Sequence, residues 1–372
     1  MQSKKTTNQR ELKHLKDALK SYRYDKKSKI KVGIPRALHF YRFFPFWKKL
    51  LEELGCILIL SPHTNKQIVE EGAFQGFGEL CLPVKVYYGH MLYLIREHPE
   101  LDYVFVPRYV SERVEGYFCP KFLSLPDVIR TLPNIPKILT FTINVKENPI
   151  SNSIISLAKI LGKGQREALQ AYEKAKKYHK QYQDFLRKGT PVGYALKLVE
   201  KDKPFKMLKK KTPKNIKFLL LGHGYNIFDT FVNLDFQKKL TRHGVDVLTI
   251  ENLPEILFKE PVIINKQFRP YWLHEDEILA AIRYFLVQGR NEIDGVIFLI
   301  SFACGPDSLI AELIMRDMKV IRLPFLQIIM DEHTGEAGLL TRIESFVEMI
   351  KRKKRKLDEM KEKQDLKIFE EA

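Results

Sequence analysis

The sequence predicts an α/β protein made of two doubly wound parallel-sheet domains, Rossmann- or flavodoxin-like halves bridged by long helices. Three observations predict it. Short apolar strands alternate with helical stretches over residues 30–150, and the alternation returns over 215–350. Between them, residues 151–214 lose the alternation and read as charged helix followed by a Pro/Lys-rich connector. The 372 residues are too many for one ordinary domain and suit two of about 100–200 each. Strands that alternate with helices build a parallel sheet with helices on both faces.

In chain order, residues 1–29 read as a basic N-terminal arm, helical or frayed. "KIKVGIPRAL" is a strand that turns at Pro35, and "FPFWKKLLEELG" has helical spacing up to a cap at Gly55. "CILILS" is a second buried strand. A helix from Asn65 to Glu71 leads into the glycine-broken loop "EGAFQGFGELCLP", then a helix from about Val84 to Glu97. "LDYVFVP" and "PKILTF" are strands. "GKGQREALQAYEKAKKYHKQYQDFLRKG" is a charged bridging helix. The second half opens at "NIKFLLLGHGYN" and continues through strand "GVDVLTI", helix "EDEILAAIRYFL", strand "DGVIFLIS", helix "DSLIAELIMRD" and strand "KVIRLP". "TRIESFVEMIKRKKRK" closes it as an amphipathic helix that turns basic over 351–372. Two such halves imply a cleft, with functional loops beyond the carboxyl ends of the strands.

No apolar run has the roughly 18–20 residues of a membrane span, and the start lacks a signal-peptide stretch, so a cytoplasmic protein is expected. The net charge of +18 comes from three places. Residues 1–29 carry ten Lys/Arg against three acids, residues 201–217 carry eight Lys against one Asp, and "KRKKRK" spans Lys351 to Lys356. No stacking-aromatic or recognition pattern accompanies the charge, so solvated helix faces or docking of an acidic partner are favoured over nucleic-acid binding.

The four cysteines have no secretory context, so a disulfide framework is not expected. Cys56 opens a strand among Ile57, Leu58 and Ile59 and reads as a small buried hydrophobe. Cys81, Cys119 and Cys304 fall in loops that face the cleft, each followed within two residues by proline. Cys304 stands before a helix, whose N-terminal field favours thiolate. Three thiolates converging suit a soft metal or an iron–sulfur cluster. Separations of 38 and 185 residues match no local signature, so zinc or three unrelated thiols stay open on the pattern alone.

"VGIPRAL", "ELCLPVKVYYGH", "FCPK" with "LPD", "GHGYNIFD", "FACGPDSL" and "DEHTGEAGLLTRIESF" together resemble the 2-hydroxyacyl-CoA dehydratase superfamily, in its activase-associated branch. The motifs run from about residue 31 to 348. The resemblance implies a [4Fe-4S] cluster held between the halves by Cys81, Cys119 and Cys304, with one iron open. It implies a separate ATP-hydrolysing activase of the sugar-kinase/Hsp70/actin type as electron donor, since no phosphate signature of that type precedes residue 31. It implies a homologous second subunit or self-dimer and a small substrate, a CoA thioester in the dehydratases, that is dehydrated or reduced through a radical. On this footing the chain is either the lyase- or reductase-like component itself or a non-catalytic subunit that holds a cluster or scaffolds a partner.

Around that site, His223, Lys85 and Ser308 are the candidate catalytic residues. His223 is placed to give a proton or orient substrate, and Lys85 or Lys121 to hold an anion or balance cluster charge. Asp307 and Ser308 are expected to cap the helix after Cys304. Asp331, Glu332, His333, Thr334 and Arg342 are expected to shape the cleft or an interface. The chain departs from the family's pattern at Gly224, where proline is usual, and at Ala303, where glycine is frequent.

Overall fold

A computed structural model describes residues 29–76, 78–208, 214–258, 270–287 and 292–370. The basic arm expected over 1–29 therefore lies outside the described residues apart from Lys29, as do part of the basic connector and the last two residues.

The first half holds a parallel sheet of β1 (Lys31–Ile34), β2 (Ile57–Leu60), β3 (Tyr103–Phe105) and a strand at Lys137–Leu139, ordered β2-β1-β3 and then that strand. Beyond Pro107 the third and last strands bend away and pair again, β4 (Arg108–Ser111) with β6 (Thr142–Asn144), which makes Lys137–Leu139 β5. The second half has β7 (Ile216–Leu221), β8 (Val245–Leu248), β9 (Gly295–Ser301) and β10 (Phe325–Met330) in the order β10-β9-β7-β8, all parallel. Both halves thus run second, first, third, fourth, and each reverses direction between its first and third strands. That reversal opens a crevice at the strands' carboxyl ends.

Side-chain alternation decides how the second sheet is covered. Phe218 and Leu220 of β7 join Ile297 and Leu299 of β9 on one face, under the helices Phe236–Arg242 and Glu336–Glu370. Leu219, Leu221, Val296, Phe298 and Ile300 face the other way, under Leu273–Val287 and Gly305–Val320. Leu339, Ile343, Phe346, Val347 and Ile350 keep the last helix on the sheet by spacings of three and four. Beyond them it turns basic as expected, and Lys354 is partly spent on Asp294, at 2.8 Å.

One expected strand is displaced. "KVIRLP" ends the helix Gly305–Val320 and makes its turn, with Arg322 at φ 57°, and the strand is the following "FLQIIM". The helix already carried the apolar periodicity through Met318, so Val320 and Ile321 extend it.

The long helix Gln165–Arg187 is fixed on the first half's core rather than standing free. Ala168, Ala171, Ala175 and Tyr182 are buried along one stripe facing the helix Phe40–Glu53. That second helix carries Pro45 in its interior. Proline has no N–H, so the Tyr41 carbonyl four residues earlier lacks its helical donor. The Tyr182 hydroxyl supplies one, at 3.0 Å. Replacing Tyr182→Phe leaves that carbonyl unpaired and is expected to lower unfolding free energy by about 1–3 kcal/mol. Denaturant titration reads it as a shifted midpoint with unchanged slope.

Candidate functional site

Each of Cys81, Cys119 and Cys304 is the residue that caps a helix N-terminus, ahead of Leu82–Glu97, Pro120–Leu123 and Gly305–Val320, and each helix has proline in its first turn. The N–H groups of Val84, Lys121 and Asp307 favour the thiolate of the cysteine before them, although none closes a full capping hydrogen bond. Burial outweighs them. It raises the Cys81 and Cys304 thiols and pushes Cys119 up to about 11, so the thiolate preference expected of Cys304 is reversed. Cys56 is buried in the first core, as read from its neighbours, and burial pushes it to about 12.

The three thiols are near enough for Cys81 to act electrostatically on both Cys119 and Cys304. The Tyr225 hydroxyl lies within the electrostatic reach of all of them. Lys121 ties their loops together, its ammonium donating to the carbonyls of Glu79 at 3.1 Å and Ala303 at 3.3 Å. Ala303, just before Cys304, is held at φ 64°, the left-handed region where glycine is cheaper.

The stretch "GHGYNIFD" follows directly on β7. A Cβ on Gly222 would stand 2.6 Å from the Leu299 carbonyl of β9, so only glycine fits. His223 is 5 % exposed. Its Nε2 lies 3.2 Å from both Glu275 Oε1 and Asp307 Oδ1, and its Nδ1 is paired with the Tyr225 hydroxyl. Burial alone would lower the His223 pKa, but Asp307 and Glu275 outweigh it and raise it to about 9. Asn226 receives the Ser301 hydroxyl at 2.7 Å, which fixes the motif to the end of β9. Asp229 reaches the other half, accepting from Thr64 Oγ1 at 2.5 Å. Thr64 has spent its proton there, so His90 Nε2–H donates to it and His90 Nδ1 accepts from Ser61. His90 is neutral in this chain of bonds, its pKa lowered by burial to about 3.

His223, Glu275, Cys304 and Asp307 bring one donor atom each to within 4.8 Å of one another. Asp307 is fully buried, and neither of its oxygens has a conventional hydrogen-bond partner among the described residues. It is therefore not the helix cap expected of it. Ser308 is not a cap either: its exposed hydroxyl donates to the Cys304 carbonyl at 2.7 Å instead of accepting a first-turn N–H. Lys85 is spent on an ion pair with Glu332 across the halves, at 2.7 Å. Asp331, His333 and Thr334 bond within their own loop, and Arg342 donates to the Gln327 carbonyl.

Several residues here were not singled out in the sequence. Glu275 and His274 stand in the first turn of Leu273–Val287, where acidic residues are ordinary. Arg42 forks onto Glu277 across the cleft, at 2.7 and 2.9 Å, and also grips Glu112. Arg113 reaches Asp276 and the Phe258 carbonyl. Between these pairs lies a cavity of about 450 Å3, walled by both halves and by the long helix.

A family profile, the CoA enzyme activase uncharacterised domain, matches residues 31–253. The chain belongs to that family. The match takes in Cys81, Cys119 and the His223 motif and stops before Glu275 and Cys304. No curated protein matches the chain. Among the described residues no helix is long and apolar enough to cross a membrane.

Replacing Arg42→Met removes the cation that joins Glu112 to Glu277 and leaves only Arg113 acting on Glu112. The loss is expected to be at least ~2 kcal/mol, below the figure for a fully dry pair because Arg42 borders the cavity. Burial already raises the Glu112 pKa, and Arg42 opposes that rise. Without Arg42 the folded-state pKa climbs further above the unfolded one, so stability is present at low pH and lost as pH rises through it. The variant's deficit should shrink between about pH 8 and pH 5, read by chemical denaturation at both.

Proposed function

We propose that the chain is an iron–sulfur protein that takes low-potential electrons from an ATP-hydrolysing activase and passes them, one at a time, to a small organic substrate for dehydration or reduction. The observation that carries this reading is the meeting of three cysteines from both halves at three helix N-termini. The donor set fits a [4Fe-4S] cluster: three soft sulfurs, no disulfide among them, and helix-end N–H groups beside each. The family's description supports an activase as the partner.

When bound, the cluster accepts an electron and offers an open iron as a Lewis acid. The protein's own groups do the rest. Cys81, Cys119 and Cys304 give up their protons to hold it. Lys121 keeps their loops at a fixed separation and adds positive charge. His223 holds a proton at Nε2 between Glu275 and Asp307, and Tyr225 fixes the ring from the other side. That proton stands beside Cys304 and at the cavity wall, where a departing oxygen would need it. Burial of the whole group keeps water from competing. Lys85 and Ser308 are assigned to positioning: Lys85 through Glu332 of the second half, Ser308 through the turn that carries Cys304.

A homologous subunit or second copy is part of this reading, since dehydratases of the resembled type pair two such chains. A chain that only relays electrons would reduce its cluster without forming product.

After anaerobic reconstitution with iron and sulfide, Cys81→Ser, Cys119→Ser and Cys304→Ser are each expected to lose most of the visible cluster absorbance, and Cys56→Ser to keep it. Equal behaviour of all four variants contradicts the ligand assignment.

A further inference from the structure

One carboxylate beside His223 is left without a donor. Asp307 is 0 % exposed, and neither of its oxygens has a conventional hydrogen-bond partner among the described residues. Glu275, 2 % exposed, stands beside it, and His223 Nε2 is 3.2 Å from an oxygen of each. That nitrogen carries at most one proton, and the hydrogen bond it makes goes to Glu275. One proton thus serves one of two buried carboxylates, and leaving the other without a donor is costly. A divalent ion among them serves both. The spacing is that of ligands around an ion. Zinc holds nitrogen and oxygen at about 2.0–2.1 Å in a tetrahedron, which sets them about 3.3–3.4 Å apart. Space between donors this close shuts out water, which accounts for their lack of exposure, yet it admits a bare ion.

We propose that His223 Nε2, Glu275, Asp307 and Cys304 Sγ hold one divalent transition-metal ion of the zinc class. One donor atom from each lies within 4.8 Å of the others, and the sulfur has only to approach to the ~2.3 Å that zinc takes. The donors come from three elements: the loop after β7, the first turn of Leu273–Val287 and the start of Gly305–Val320. One nitrogen, two hard oxygens and one soft sulfur suit zinc, cobalt(II) or iron(II), and not magnesium or calcium, which take oxygen alone. The Tyr225 hydroxyl on His223 Nδ1 orients the ring, as the outer partner of a metal-bound histidine does. Cys304 is the partly exposed member and gives the ion its way in. All four donors belong to the second half, so the inference goes beyond the electron-transfer reading and does not rest on it. The ion takes the place of the proton at His223 Nε2, and the two metal sites meet only at the Cys304 sulfur.

Cobalt(II) titration of the full chain, iron-free and with its thiols kept reduced, tests this by visible absorption. About one cobalt per chain is expected, with the strong bands of a tetrahedral site and a sulfur-to-cobalt charge-transfer band. Zinc is expected to displace it, and magnesium in large excess to leave it in place. Glu275→Gln and Asp307→Asn are each expected to weaken cobalt binding at least ~tenfold. Cys304→Ser should lose the charge-transfer band, and Cys81→Ser and Cys119→Ser should bind as the parent does. Asp307→Asn removes an unpaired buried charge and is expected to fold; zinc should raise the melting temperature of the parent and not of this variant. The proposal is overturned if the folded chain takes up no cobalt, or if Glu275→Gln and Asp307→Asn bind it as the parent does. It is overturned equally if Cys81→Ser or Cys119→Ser abolishes binding, which would put the metal on the three-cysteine set. No iron is present, so a failure of cluster assembly leaves this result intact, and loss of this site leaves the cluster reading intact.

Discussion

The Arg42 guanidinium, forked onto Glu277 of the opposite half while holding Glu112 of its own, is the contact on which the rest of the arrangement depends. A planar, permanently charged group with two parallel donors fixes both distance and angle between the carboxylates it joins. The interface around it is built the same way. Arg113 with Asp276, Lys85 with Glu332, and Thr64 with Asp229 each span the halves. A cleft closed by directional polar contacts leaves space that an apolar interface would fill. The cavity and the thiol site occupy that space, on either side of His223.

Why the chemistry gathers there follows from topology. The second sheet reverses between β7 and β9, so the loops after these strands open side by side. One carries His223 and the other Cys304. The first half presents Cys81 and Cys119 from helix starts across the cleft. Proline in the first turn of all three helices costs no hydrogen bond, because that N–H has no helical partner, and it stiffens the chain beside the sulfur.

Local chemistry was legible in the sequence where it depends on neighbours along the chain. The alternation of strands and helices, the burial of Cys56 and the amphipathic face of the last helix all have short periods. The place of Cys304 before a helix was legible, whereas Cys119 read as a loop residue and the short helix Pro120–Leu123 after it did not show. What escaped depends on partners far away in sequence. Asp307 in a first helical turn reads as a cap, and only the approach of His223 makes it a buried charge. Glu275 reads as an ordinary acidic helix start. Lys85 and Ser308 stand close to cysteines in sequence, yet their side chains bond to Glu332 and to the Cys304 carbonyl. "KVIRLP" has strand composition, but the helix before it was already committed through Met318. Thiolate preference was misjudged for a different reason, because a helix N-terminus favours the anion only where desolvation does not exceed it.

The central claim is that thiols from both halves hold one [4Fe-4S] cluster. The most direct measurement is iron and acid-labile sulfide per chain in anaerobically reconstituted protein, with an EPR spectrum after dithionite reduction. The account predicts about four of each and a signal from a reduced cluster. Protein that folds normally yet retains no iron would contradict it.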